Sequence, residues 1–240
     1  MELKNWWYII VGVGLLCVFL VFQNQPLVLS IVLLNIGFTF IGFGLGSGIF
    51  GAKTFQKRKN GTLTLISYLI YWPYLVVDYI ILYIIRVVRK ENVYDEILSG
   101  LYLGGRLWLF DKKDPLIKKI DYVLDLTSEF TEPFFFRNKA GYLCIPLIDH
   151  HAPTLDELTY GVTWLVEQHK KGYVYVHCAM GHGRSAIFVV AYVMFVNRLN
   201  SVEHAIEFVK TKRPVIRLNK KQIEVIEKYR LHNKITENYK

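Results

Sequence analysis

The chain has 240 residues, 52% of them hydrophobic, and a formal net charge of +9; such a length suits one domain of about 150 residues plus a further element. Residues 1–90 carry eight Lys/Arg and two Asp/Glu, against 21 and 18 in residues 91–240, so most of the basic excess flanks apolar runs and no basic stripe marks a nucleic-acid surface. The three cysteines, Cys17, Cys144 and Cys178, one of them inside an apolar run, argue against a disulfide framework and for a reducing compartment.

Residues 6–22 run without a charge and open on Trp6, Trp7 and Tyr8, as an interfacial belt does. They read as a first membrane span. A cleaved signal peptide is the competing reading, but residues 22–26 offer no small-residue cleavage site. After a short link, residues 27–52 form a second apolar run long enough to cross with tilt. Gly42 and Gly46, and Gly44 and Gly48, have the small-xxx-small spacing that lets helices approach, against the first span or a second copy. Lys53, Lys57, Arg58 and Lys59 follow at once, which by the positive-inside rule makes that loop and the N-terminus cytoplasmic.

A third apolar run, residues 63–88, contains Pro73, Asp78 and many rings with polar tips, and basic residues sit on both sides. An acid and a proline near the midpoint are costly in hydrocarbon. The run therefore reads as a re-entrant or interfacial helical hairpin bent at Pro73, with a true third span as the alternative. Residues 1–91 are taken as a membrane region and residues 92–240 as a separate domain facing the cytosol.

Beyond Asn92 the composition becomes that of a soluble domain. Residues 94–105 alternate and turn at Gly100, as a hairpin does. Residues 122–126 and 142–148 are compact apolar runs suited to buried strands, with helical patterns between and after them. The fold class is α/β, with a mainly parallel central sheet flanked by helices. Ligands in such folds sit at the carboxyl ends of strands.

One such end is followed by His177-Cys178-Ala179-Met180-Gly181-His182-Gly183-Arg184-Ser185, between a β-branched run and a long apolar helix. A glycine-containing turn there gathers backbone N–H groups and the helix dipole onto one point and attracts an anion. A thiol in that place, beside a guanidinium, loses its proton readily, so Cys178 is a candidate nucleophile. Arg184 offers a planar fork of donors that matches two phosphate oxygens.

His177, Cys178, Arg184 and Ser185 match H-C-x5-R-[ST], and on these residues the chain resembles the protein tyrosine phosphatase superfamily, in particular the small atypical members of its dual-specificity branch. The opening at residues 94–105 is similar as well. The resemblance implies a phosphocysteine on Cys178, phosphoryl binding by Arg184 and the loop 177–184, and help from Ser185 in breaking down the intermediate. It also implies that His177 orders the loop by hydrogen bonding.

Cleaving a phosphoester also needs a proton for the leaving oxygen. Asp149, at the end of the run 142–148, is the candidate acid, because the family places its acid about thirty residues before the cysteine and D-x-x-x-P before a helix looks like the small members. Asp125 ends a strand run too, but lies far upstream. Asp156 and Glu157 suit the first turn of the next helix. His182 either contacts substrate and raises the local positive potential or is simply a solvated loop side chain. Arg213-Pro214 and Gln222 are similar to the R-P…Q arrangement of the small members, although the motif is shortened here.

No cofactor or metal is expected; His150 and His151 are adjacent but lack zinc spacing. The expected activity is a membrane-anchored, metal-independent phosphatase. Its substrate is phosphotyrosine or phosphoserine protein by family default. The alternatives are a phospholipid headgroup at the bilayer or a non-catalytic phosphate-binding role.

Overall fold

The computed structural model describes residues 3–21 and 26–233. The expected tight link and cleavage segment at residues 22–25, and the polar tail at 234–240, lie outside the described residues. Helix α1 (Leu3–Val21) packs on α2 (Leu27–Phe50). Their contact is at Gly12 and Gly37, where a Cβ on Gly12 would stand 2.7 Å from the Gly37 carbonyl. Of the expected small-residue pairs, Gly42 and Gly46 do not make this contact. A Cβ on Gly42 would meet nothing within 4 Å, and Gly46 faces Thr54 and Tyr71.

A 3-10 turn (Gly51–Phe55) follows, and then α3 (Leu65–Arg89), a single helix that passes straight through Pro73. The hairpin expected from the proline does not form. Thr64 caps the helix start, its Oγ1 accepting from the Ser67 N–H at 3.2 Å. The Thr39 hydroxyl of α2 donates at 2.7 Å to the Ile70 carbonyl, next to the carbonyl that Pro73 leaves without its donor. Leu27–Phe55 and Leu65–Arg89 are long and apolar enough to cross a membrane by length and composition.

The α/β domain begins with β1 (Tyr94–Leu98), antiparallel to β2 (Leu101–Gly105) through a turn at Gly100. Next come α4 (Pro115–Lys119), β3 (Tyr122–Thr127), α5 (Phe134–Arg137), β4 (Gly141–Leu147), α6 (Leu155–His169) and β5 (Val174–Cys178). Helices α7 (Arg184–Val196), α8 (Val202–Lys212) and α9 (Lys220–His232) complete it. The sheet order is β1-β2-β5-β3-β4, and every pairing except β1–β2 is parallel. Alternate strand residues serve opposite faces. Leu103, Leu124 and Val176 pack against α6 to α9, while Tyr102, Val123 and Tyr175 pack against Leu116 of α4 and Phe136 of α5. Helix α7 is buried from Arg184 to Met194, an apolar cylinder at the centre of the domain.

The chain does not divide cleanly at Asn92. Along its length α3 lies against the α/β domain: Tyr68 hydrogen-bonds Thr131, the Tyr79 ring meets Phe130 at 4.8 Å, and Arg86 forks onto Asp111 at 2.7 and 2.9 Å. The loop before α3 is laced to the domain too, with the Glu132 N–H donating to the Gly61 carbonyl at 2.8 Å. Gly61 has φ +80 and presses on Tyr142, a place where any side chain would collide.

Candidate active site

The loop between β5 and α7 hangs on sheet neighbours chosen for close approach. Gly104 and Gly105 of β2 stand opposite His177 and Cys178, and the Arg106 N–H donates to the Ala179 carbonyl at 3.0 Å. Gly181, at φ +74, lies so near the Gly104 backbone that it leaves no room for a Cβ, and a Cβ on Gly104 would collide with Tyr94 and Tyr175. From outside, Arg213 grips the loop, donating to the Gly181 carbonyl at 2.9 Å and the Met180 carbonyl at 3.1 Å while pairing with Asp95 at 2.6 Å. Its R-P motif was visible in the sequence; its purpose as a loop clamp was not.

Cys178 sits at the base of this turn, 3% exposed. Its Sγ accepts from the Gly181 N–H and the Ser185 hydroxyl, both at 3.3 Å. Burial alone would raise the thiol pKa, but the Arg184 guanidinium and the Ser185 hydroxyl outweigh it and hold the group below its ordinary value. The turn therefore eases loss of the thiol proton at a helix N-terminus.

Arg184 is fully enclosed. Its Nη1 and Nη2 fork onto Glu129 at 2.9 and 2.8 Å, and Nη1 also donates to the Leu147 carbonyl at 2.8 Å. A guanidinium has five N–H donors. Three are thereby used, leaving the edge formed by Nε and the second Nη2 hydrogen. Nε makes no hydrogen bond and stands 3.5 Å from Asp149 Oδ1. Glu129, which aims the fork, was missed in the sequence; it lies 55 positions before Arg184 with no motif linking the two.

Asp149 and Cys178 line one cleft of about 370 Å³, together with His182, Arg217 and Gln222. The Asp149 carboxylate is more than half exposed and lies 3.3 Å from His150 Nε2. The start of α9 holds this acid loop: Asn219 Nδ2 donates to the His150 carbonyl at 2.7 Å, and Gln222 Nε2 to the His151 carbonyl at 3.2 Å. The shortened motif thus still borders the site. Two further lining residues, Ile85 and Arg89, come from α3 and were assigned to the membrane region by the sequence.

His182 is neither solvated nor disposed to charge. Its Nε2 meets Glu91 at 2.7 Å, and burial pushes its pKa below the ordinary histidine value despite that carboxylate. His177 is fully buried, with Nε2 3.3 Å from Glu132 and Nδ1 3.4 Å from the Cys178 carbonyl. Burial opposes its charge, yet Glu132 prevails and raises its pKa. Asp125, Glu132 and His177 bring possible metal-ligand atoms within 4.8 Å of one another. The ammonium of Lys57, 2.6 Å from Asp125, already supplies a cation at that cluster. In the sequence Lys57 read as membrane-surface charge; its side chain is instead completely buried.

Residues 101–231 match the family described as dual specificity phosphatase, catalytic domain. The chain belongs to that family, and the domain is of the protein-tyrosine-phosphatase-like class. Dual specificity protein phosphatase 1 of Mus musculus is 32% identical over 126 residues, covering 52% of this chain and 34% of that protein. The chain thus spans about a third of the length of this relative. The human phosphatidylglycerophosphatase and protein-tyrosine phosphatase 1 is 36% identical over 85 residues, covering 35% of this chain and 41% of that one. Among solved structures, PTPMT1 in complex with PI(5)P superimposes with TM-score 0.53 at 27% identity, covering 60% of this chain and 97% of that chain. Tk-PTP in the active form gives TM-score 0.52 at 25% identity, covering 57% and 95%.

The Ser185 contact makes a prediction about the thiol. Alkylation of Cys178 by iodoacetamide, mapped by mass spectrometry across pH, should lose rate only on acidification below the ordinary thiol pKa. In Ser185→Ala the midpoint should rise by about one unit. An unmoved midpoint would show that the hydroxyl does not support the thiolate.

Proposed function

We propose that this protein is a cysteine-dependent phosphomonoesterase acting at a membrane surface, with a phospholipid headgroup phosphate as its substrate. In the first step Cys178 Sγ attacks phosphorus, the S–P bond forms, and the bond to the leaving oxygen breaks as Asp149 donates its proton. The phosphate oxygens take the free edge of Arg184 and the N–H groups of the loop, displacing the Asp149 side chain, which enters the step in its protonated form, from its place 3.5 Å from Nε. Water then attacks the phosphocysteine, Asp149 takes the water proton, and the Ser185 hydroxyl stabilises the departing thiolate.

The observation that carries the choice of substrate is α3. Its Ile85 and Arg89 line the cleft that holds Cys178, while Ile81, Ile84 and Val88 beside them are exposed. A helix that touches the domain at Tyr68, Tyr79 and Arg86 and leaves the opposite face apolar suits an interfacial position, with α1 and α2 as the anchor. A headgroup phosphate in that plane reaches the thiolate with its acyl chains still in the bilayer. PTPMT1, solved with PI(5)P, and the relative named phosphatidylglycerophosphatase support this reading. Phosphoprotein, the expectation from the family, is supported by the dual specificity protein phosphatase relatives.

Two experiments on the full chain test the proposal. Reconstituted in vesicles, it should hydrolyse a lipid phosphomonoester at least about tenfold more efficiently than a phosphotyrosyl peptide, and Cys178→Ser should abolish both activities. Faster peptide turnover would replace the lipid reading, and turnover unchanged in Cys178→Ser would end the enzymatic one. Separately, Asp149→Asn should slow alkyl phosphates about a hundredfold while leaving activated aryl phosphates much less affected; equal slowing of both would assign the proton to another group.

A further inference from the structure

Lys57 lies in the loop between the 3-10 turn and α3, outside the matched phosphatase residues, yet its side chain is 0% exposed. Its ammonium has three N–H donors, and all are used: Asp125 Oδ2 at 2.6 Å, the Thr127 carbonyl at 2.8 Å and Thr127 Oγ1 at 2.8 Å. Asp125 is equally saturated. Oδ2 also accepts from the Tyr142 hydroxyl at 2.6 Å, and Oδ1 from the Thr127 N–H at 2.9 Å and hydroxyl at 2.8 Å. Every partner comes from β3, which lies next to the strand that carries the catalytic turn, or from the edge strand β4 beyond it.

The network reaches Cys178 by a short route. Asp125 stands directly across from His177 in the β3–β5 register, and His177 bridges Glu132 and the Cys178 carbonyl. A carboxylate with no countercharge in this place would pull on His177 and on the strand end that carries the nucleophile. We propose that Lys57 is a positioning residue for the catalytic loop: the segment joining the apolar helices completes the active site from behind by neutralising Asp125. This rests on Cys178 being the nucleophile, as proposed above. Its consequence is that residues 92–240 alone lack part of their own catalytic centre.

The test reads Cys178 itself in the full chain in detergent. Site-resolved alkylation by iodoacetamide at fixed near-neutral pH is followed in wild type, Lys57→Met, Asp125→Asn and the double variant. Either single variant should slow Cys178 about tenfold or more, because each strands one buried charge. The double variant, which strands none, should return to within about threefold of wild type. A Lys57 that only straps the helices to the domain predicts that the double variant stays as slow as Lys57→Met, and that result overturns the proposal. So does unchanged reactivity in Lys57→Met. If Lys57→Met does not fold, Asp125→Asn and the double variant give the same comparison. Failure of wild type to hydrolyse any phosphomonoester would sink the phosphatase reading while leaving this readout intact.

Discussion

The structure depends on pairing two cations that it buries on either side of one turn. Arg184 is enclosed at the start of α7 and forked by Glu129, and Lys57 is enclosed behind β3 and held by Asp125. An isolated charge in such a place costs several kcal/mol, so each cation requires its carboxylate. Those carboxylates sit at or just after the end of β3, the strand next to the one that carries Cys178. The sheet therefore fixes the turn twice. One ion pair aims the free edge of Arg184, and the other secures the strand end opposite His177.

That arrangement ties the apolar helices to the chemistry. Because Lys57 reaches Asp125, the loop after α2 lies on the same side as the catalytic domain. Helix α3 then runs along the domain instead of leaving it, and its Ile85 and Arg89 become a wall of the cleft. The Arg106 guanidinium, 5.6 Å from the Tyr79 ring centre and 5.5 Å from that of Phe130, fills the seam between helix and domain. Helix α3 and the catalytic domain are one packed unit at this seam.

What the sequence made legible was local. The strand, glycine-containing turn and apolar helix around Cys178 are contiguous in the chain, so their spacing encodes their geometry, and the α/β order follows from alternating patterns. The strand end that holds Asp149 was legible for the same reason. What stayed hidden depends on partners distant in sequence: Glu129 is 55 positions from Arg184, and Lys57 is 68 from Asp125. A lysine following an apolar helix has the same local signature whether it meets headgroups or a buried aspartate. Pro73 misled as well: the proline lies inside one continuous helix, α3. The glycine pattern at 42–48 was real, but the helix contact uses Gly12 and Gly37, whose pairing no single run displays.

The central claim is that Cys178, in a cleft walled by α3, takes the phosphoryl group covalently. Rapid acid quench of the full chain during turnover of a phosphomonoester labelled with radioactive phosphorus, followed by peptide mapping, tests it most directly. The account predicts label on the peptide containing Cys178, and none in Cys178→Ser. Turnover without any label on that peptide, or label that persists in Cys178→Ser, would contradict it.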